Sequence, residues 1–261
     1  MPKFSANLSM MFNELPFLER FAAARDAGFR AVEYLFPYDY APDVIAERLA
    51  ACGLENNLFN MPPGNWAAGE RGIASIPGRE EEFRAGVDKA ILYATRLGVK
   101  HIHAMAGVPP AGSDPAACRA TMIANLKYAA EQLAPHGITL LVEAINHRDI
   151  PGFFISHQSE TFELLQAVGA PNFRMQIDCY HMQIMDGDLS MNLKRYMPHC
   201  GHVQIAGVPG RNEPDTGEVR YENIFRLLDE LGYTGWVGCE YKPLGKTVDG
   251  LGWFRRMTAA A

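Results

Sequence analysis

A chain of 261 residues that is 48% apolar and 21% charged has material for one large buried core and no need of disulfides to hold it. Its net charge of −6, with no cluster of Lys and Arg, argues against a phosphate-backbone binder, which needs a basic face to replace condensed counterions. Five scattered cysteines, odd in number and without a CxxC pair, argue against a disulfide framework or a zinc knuckle and suit reduced thiols. The N-terminus runs directly into a strand-like segment with no apolar leader, and no apolar stretch approaches the roughly 18 residues of a membrane span. A cytoplasmic protein with no membrane or nucleic-acid partner is expected.

Along the chain, short β-rich runs alternate with longer amphipathic stretches. Strands are predicted near residues 4–8, 31–35, 54–60, 101–104, 139–143, 174–178, 202–206 and 236–240, each short and apolar as strands buried on both faces should be. Helices are predicted over 17–27, 81–97, 116–133 and 221–231. In the last, Ile224, Phe225, Leu227, Leu228 and Leu231 recur at helical spacing. Glycine stands between helix and strand at Gly28, Gly53, Gly98, Gly137, Gly201 and Gly232, where a left-handed residue commonly ends a helix. Eight strand–helix units predict an α/β fold, a closed (β/α)₈ TIM barrel forming a single domain over residues 1–261. An open doubly wound sheet is the alternative, but no GxGxxG follows the first strand. The long Gly- and Pro-rich loop 61–79 follows a strand's C-terminal end, where such barrels build active sites, and is expected to act as a lid.

Polar residues interrupt four of the buried strands at their ends: Glu143 in LLVE, Asp178 in MQID, Gln204 in HVQIA and Glu240 in WVGCE. Each alone reads equally well as a strand-end residue capping the next helix. Three carboxylates converging without partners would repel one another, and a bound dication resolves the conflict. Carboxylates and an amide oxygen are hard donors, which favours Mg²⁺ or Mn²⁺.

The stretches LVEAINHRDIPGFF, MQIDCYHMQIMDGD, GHVQIAGVPGRNEPDTGEVRY and GCEYKP resemble the hydroxypyruvate isomerase family. That family includes the 2-oxo-tetronate isomerases and lies within the xylose-isomerase-like barrels. The segment GNWAAGERGIA looks like the family's lid loop. The resemblance spans essentially the whole chain and implies a metal held by Glu143, Asp178, Gln204 and Glu240, with Glu143 and Glu240 moving protons. It also implies a small sugar-acid substrate whose carbonyl shifts between adjacent carbons through an enediolate. Ketose 3-epimerases, which usually place His where this chain has Gln204, are the second reading, and a non-catalytic sugar-acid-binding barrel is a third.

Around this set, His181 is expected to orient Asp178 or touch substrate, and Arg211 to receive the substrate carboxylate, its forked donors matching that group. Arg71 in the lid and Lys242 compete for that role, with Glu70 and Glu213 as partners for these arginines. His101 and His103 share one strand face by alternation and are candidates to line the barrel mouth, His101 as a substrate contact. His147 and His202 are weaker candidates, and Trp66 would close over the site. Cys179 and Cys239 should face the helices. Association into a homo-oligomer through the outer helices is expected.

Overall fold

The computed structural model describes residues 2–259. Eight parallel strands follow one another around a closed barrel, each pairing with its neighbours in the chain. They are β1 (Lys3–Asn7), β2 (Ala31–Tyr34), β3 (Glu55–Asn60), β4 (His101–His103), β5 (Thr139–Glu143), β6 (Phe173–Asp178), β7 (Cys200–Ile205) and β8 (Trp236–Cys239). Pairing of β1 with both β2 and β8 closes the ring, so no strand edge is left exposed.

Among the described residues, nine α-helices accompany the strands: α1 (Phe17–Asp26), α2 (Pro42–Cys52), α3 (Glu80–Leu97), α4 (Pro115–Leu133), α5 (Gln158–Val168), α6 (Cys179–Met185), α7 (Leu189–Tyr196), α8 (Tyr221–Glu230) and α9 (Gly252–Thr258). Predicted and observed strands agree to within two residues at every end, which bears out the barrel. Gly98 ends α3 at φ 71°, the left-handed cap that the helix–glycine–strand rhythm implies. Gly201 has a different cause. It lies inside β7, where a Cβ would come within 2.7 Å of Leu141 and 2.8 Å of Arg174, so its missing side chain is a matter of close approach.

Strand alternation divides the buried residues into two populations. Ile102, Leu140, Val142, Ile177, Val203 and Val237 join one apolar cluster with Leu49, Val87, Leu126, Leu164 and Leu228 of the helices. Leu58 and Leu141 are buried but stand apart from that cluster, on the inner face of the barrel. There the chain departs from the usual filling of Val, Ile and Leu. Ser5, Asn7, Glu33, Asn57, His103, Glu143, Gln176, Asp178, His202, Gln204 and Glu240 are all buried. Polar groups tolerate such a place only with partners, so their partners reveal which of them serve the scaffold.

Candidate active site and metal centre

The upper tier is built at the C-terminal strand ends. Glu143 closes β5, Asp178 closes β6, Gln204 is the register partner of Asp178 on β7, and Glu240 follows β8 directly. Glu143, Asp178, His181 and Glu240 each bring one donor atom to within 4.8 Å of the others, and all four residues are buried.

Asp178 unites the two readings its position allowed. Its Oδ1 accepts from the backbone N–H of Tyr180 at 2.8 Å and caps α6, while its Oδ2 has no hydrogen-bond partner. Glu143 Oε1 is orphaned in the same way. Burial pushes the Glu143 carboxyl well above its usual range, and the nearby Glu240 and Asp178 push it further. Glu240 is raised to about 8 by burial, against the opposing pull of Arg211. Asp178 is raised to about 6, again by burial first. Clustered, underbonded acids of this kind fit a dication, since a cation would satisfy the orphan oxygens and remove the repulsion together.

Two groups offer a fourth ligand. His181 Nδ1 receives the backbone N–H of Asn146 at 3.3 Å and its side-chain amide at 2.6 Å. The amide is oriented by its oxygen, which accepts from the Asp149 backbone N–H. Nδ1 is therefore an acceptor, while Nε2 lies 3.6 Å from Asp178 Oδ2, 4.0 Å from Glu143 Oε1 and 3.3 Å from Arg211 Nη2, a group that can only donate. Burial and Arg211 hold the ring neutral. Gln204 offers an amide oxygen on the strand beside Asp178, its register partner. The Gln204 amide donates to Glu33 Oε1 at 2.7 Å, and its Oε1 accepts from Gln176 Nε2 at 2.6 Å.

Arg211, from the loop after β7, supplies the positive charge facing these acids. Its Nη2 lies 2.6 Å from Glu240 Oε2, 3.6 Å from Asp178 Oδ2 and 3.3 Å from His181 Nε2, and its Nη1 lies 3.2 Å from Asp149. The guanidinium rests over the Tyr180 ring at 5.0 Å. At φ 58° its backbone is in the left-handed region, which costs a non-glycine residue about 1–2 kcal/mol. Such a conformation persists only where surrounding contacts fix it.

Other expected residues go elsewhere. His101 and His103 do share an inner face, but alternation fixes the face and not the height. His101 opens β4 and lies in a cavity at the N-terminal end of the barrel with Lys3, Lys100, His202 and Trp236, away from the acids. His103, one pleat higher, is fully buried with both ring nitrogens unpartnered, and burial lowers its pKa to about 3. Glu70 pairs with Arg79 at 2.8 Å and not with Arg71. Arg71 stacks 4.0 Å over Trp66 and donates to the carbonyls of Trp66 and Glu70, so both charges are engaged within the loop. Trp66 itself packs edge-on against Phe36. Glu213 accepts from the Leu244 backbone N–H and contacts neither arginine, and Lys242 is exposed. His147 Nε2 bonds the Phe153 carbonyl within its own loop. Cys179 and Cys239 are buried in the outer apolar cluster, as expected.

Loop 61–79 is well anchored. Gly72 forms an antiparallel bridge with Ala106, Ile73 and Ala74 are buried, and Asn125 donates to the Ala74 carbonyl. Sequence reasoning missed Asn7, Glu33, Asn146, Asp149 and Gln176. Glu33 carried a signal, since a glutamate inside the apolar run AVEY breaks the same rule as the four strand-end residues.

A parallel barrel with oxygen donors gathered at its C-terminal rim defines a class, and the comparisons agree. The xylose isomerase-like TIM barrel family model matches residues 21–257. The 2-oxo-tetronate isomerase of Cupriavidus necator is 53% identical over 255 residues, covering 98% of both chains. The hydroxypyruvate isomerase of Escherichia coli is 50% identical over 97% of this chain and 98% of its own. A crystal structure from Brucella melitensis, described as an AP endonuclease of family 2, superimposes with a TM-score of 0.96 at 56% identity, covering 98% of this chain and 99% of that one. The chain belongs to the hydroxypyruvate and 2-oxo-tetronate isomerase family and is an isomerase. Among the described residues, no helix is long and apolar enough to cross a membrane.

Proposed function

We propose that this isomerase shifts a carbonyl between adjacent carbons of a short sugar acid, with Mg²⁺ or Mn²⁺ held by Glu143, Asp178, Gln204 and Glu240. The reaction is of the kind that converts hydroxypyruvate to tartronate semialdehyde, or 2-oxo-tetronate to 3-oxo-tetronate. The observation that carries the reading is the pairing of two buried glutamates, on β5 and just after β8, whose carboxyl oxygens meet in one cluster beside Arg211. A bound dication would supply positive charge to two neighbouring substrate oxygens and to the negative charge that develops on them.

The protein's own groups do the rest. One glutamate takes the proton from the hydroxyl-bearing carbon, leaving an enediolate. The other returns a proton to the former carbonyl carbon, and the proton of the hydroxyl oxygen passes to the former carbonyl oxygen, so that the first becomes the new carbonyl and the second the new hydroxyl. No electron leaves the substrate, so no redox partner is needed. Carboxyls held above their usual range are matched to this task, because proton transfer is efficient when the group's pKa lies near working pH. Arg211, whose Nη2 and Nη1 face Glu240 and Asp149 in the free protein, would turn its guanidinium to the substrate carboxylate once a cation engages Glu240, His181 would touch a substrate oxygen, and the anchored loop 61–79 would limit water.

Glu143→Gln and Glu240→Gln should each lower turnover by about 10²- to 10⁴-fold while Mn²⁺ still binds. NMR in D₂O should show deuterium entering the product carbon with wild type only. Near-normal turnover in either metal-loaded variant refutes the assignment. Product analysis separates the rival chemistries: an epimerase inverts one centre without moving the carbonyl, and cleavage of abasic DNA would support the description carried by the Brucella relative, against which the net charge of −6 weighs.

A further inference from the structure

Beneath the acid cluster lies a carboxylate that the proposed chemistry does not touch. Glu33 of β2 is fully buried and accepts five hydrogen bonds. Ser5 Oγ, Asn57 Nδ2 and His202 Nε2 reach its Oε2 at 3.0, 3.1 and 2.9 Å. Asn7 Nδ2 and Gln204 Nε2 reach its Oε1 at 3.2 and 2.7 Å. Room is made for it by Gly238 on β8, where any Cβ would overlap both carboxylate oxygens. A buried glutamate with so many donors is a costly way to fill a barrel, since an apolar side chain of similar volume needs no partners.

Two of those donors lead upward. The Asn7 amide is oriented from above by its oxygen, which accepts from the Ser9 backbone N–H at 3.0 Å, so its NH₂ must face the carboxylates. That NH₂ bridges Glu33 Oε1 and Glu240 Oε1, each at 3.2 Å, and leaves Glu240 Oε2 to face Arg211. Gln204 has its NH₂ drawn down onto Glu33, because a carboxylate only accepts. Its carbonyl oxygen is thereby turned toward Gln176.

We propose that Glu33 is a positioning residue for the metal cage: it orients the Gln204 amide directly and the Glu240 carboxylate through Asn7, so that each presents its ligating oxygen. This rests on the cage reading above. It gives the buried glutamate a task that neutral filling cannot perform, because without an acceptor below it only the Gln176 hydrogen bond would keep the Gln204 nitrogen out of the cage.

The test uses the full chain stripped with chelator and titrated with Mn²⁺, read by calorimetry and by the Mn²⁺ electron paramagnetic resonance signal, with melting and steady-state kinetics beside them. Glu33→Gln keeps the shape, loses the charge, and cannot accept from all five donors. It should melt within a few degrees of wild type, weaken Mn²⁺ binding by about 10- to 100-fold, and lower kcat more than it raises KM at saturating metal. Asn7→Ala leaves Gln204 on Glu33 but frees Glu240, and should give a smaller loss of affinity of about tenfold. If Glu33→Gln does not fold, Asn7→Ala decides alone. Mn²⁺ affinity within twofold of wild type in every folded variant overturns the proposal. Failure of wild type to bind Mn²⁺, or unchanged binding in Gln204→Ala, would instead remove the cage on which it rests.

Discussion

Arg211 is the counter-charge to three buried acids, so replacing it with Met, of similar length and no charge, should expose their repulsion in a pH-dependent way. At a pH of about 8.5 Glu240 is largely ionised in the wild type, its folded value being about 8 against 4.5 for an unburied glutamate. Removing its 2.6 Å partner then leaves a buried anion uncompensated, a loss that typically costs about 3–5 kcal/mol. Uptake of a proton by the cluster relieves part of this, so about 3 kcal/mol is expected.

At a pH of about 5 Glu240 is already protonated, and what is lost is hydrogen bonds from a charged guanidinium, that to Asp149 included, about 1.5 kcal/mol. Urea unfolding of chelator-treated protein at the two pH values measures both numbers. A penalty that is equal at the two, or larger at low pH, would refute the electrostatic account of the site.

Two further outcomes follow from the same geometry. For acids raised in the folded state, the native chain holds more protons than the unfolded chain between about 4.5 and 8, so metal-free stability should fall as pH rises through that window. The Mn²⁺-induced rise in Tm should therefore grow across it, and a shift that is flat from pH 5 to 8 would contradict the assignment. In loop 61–79, Gly72 sits at φ 111° with no space for a Cβ beside the Met105 carbonyl, so Gly72→Ala should break the bridge to Ala106. Catalysis should suffer mainly through a raised KM, by several-fold, with Tm lowered only modestly. A wild-type KM, measured by initial rates, would mean that the loop's seat is irrelevant to substrate.

The barrel was legible in the sequence because its signals are local: glycine at a helix end, a short apolar run, a longer amphipathic stretch. The convergence of Glu143, Asp178 and Glu240 was legible for a related reason, since strand ends in a parallel barrel share one rim. Height within the barrel was not legible. His101 and His103 lie on one face by alternation, yet one opens at the base and the other sits a pleat above it, and only the register of β4 against β3 and β5 decides this. Side-chain partners were also hidden. Glu70 prefers Arg79, nine residues on, to its neighbour Arg71, because the fold of loop 61–79 brings the first pair together and lays Arg71 on Trp66.

The contrast between Glu33 and Glu143 shows what separates a fully bonded acid from the one to which the proposed reaction gives a proton, when both are fully buried. Burial alone should raise both carboxyls, and by comparable amounts. Glu33 nevertheless lies below the ordinary glutamate range, because His202, Gln204 and Asn57 stabilise its anion beyond what desolvation removes. Glu143 keeps an oxygen with no donor and is driven far above that range, with two other acids adding to the effect. One barrel thus holds a carboxylate that stays charged and beside it a carboxyl ready to exchange a proton or accept a cation. The number of donors pointing at each oxygen, more than its depth, sets which role it takes. Glu213 fits the same distinction, since its buried carboxylate is met by the Leu244 N–H at 3.1 Å and ties the loop after β7 to the loop after β8, away from the acid cluster.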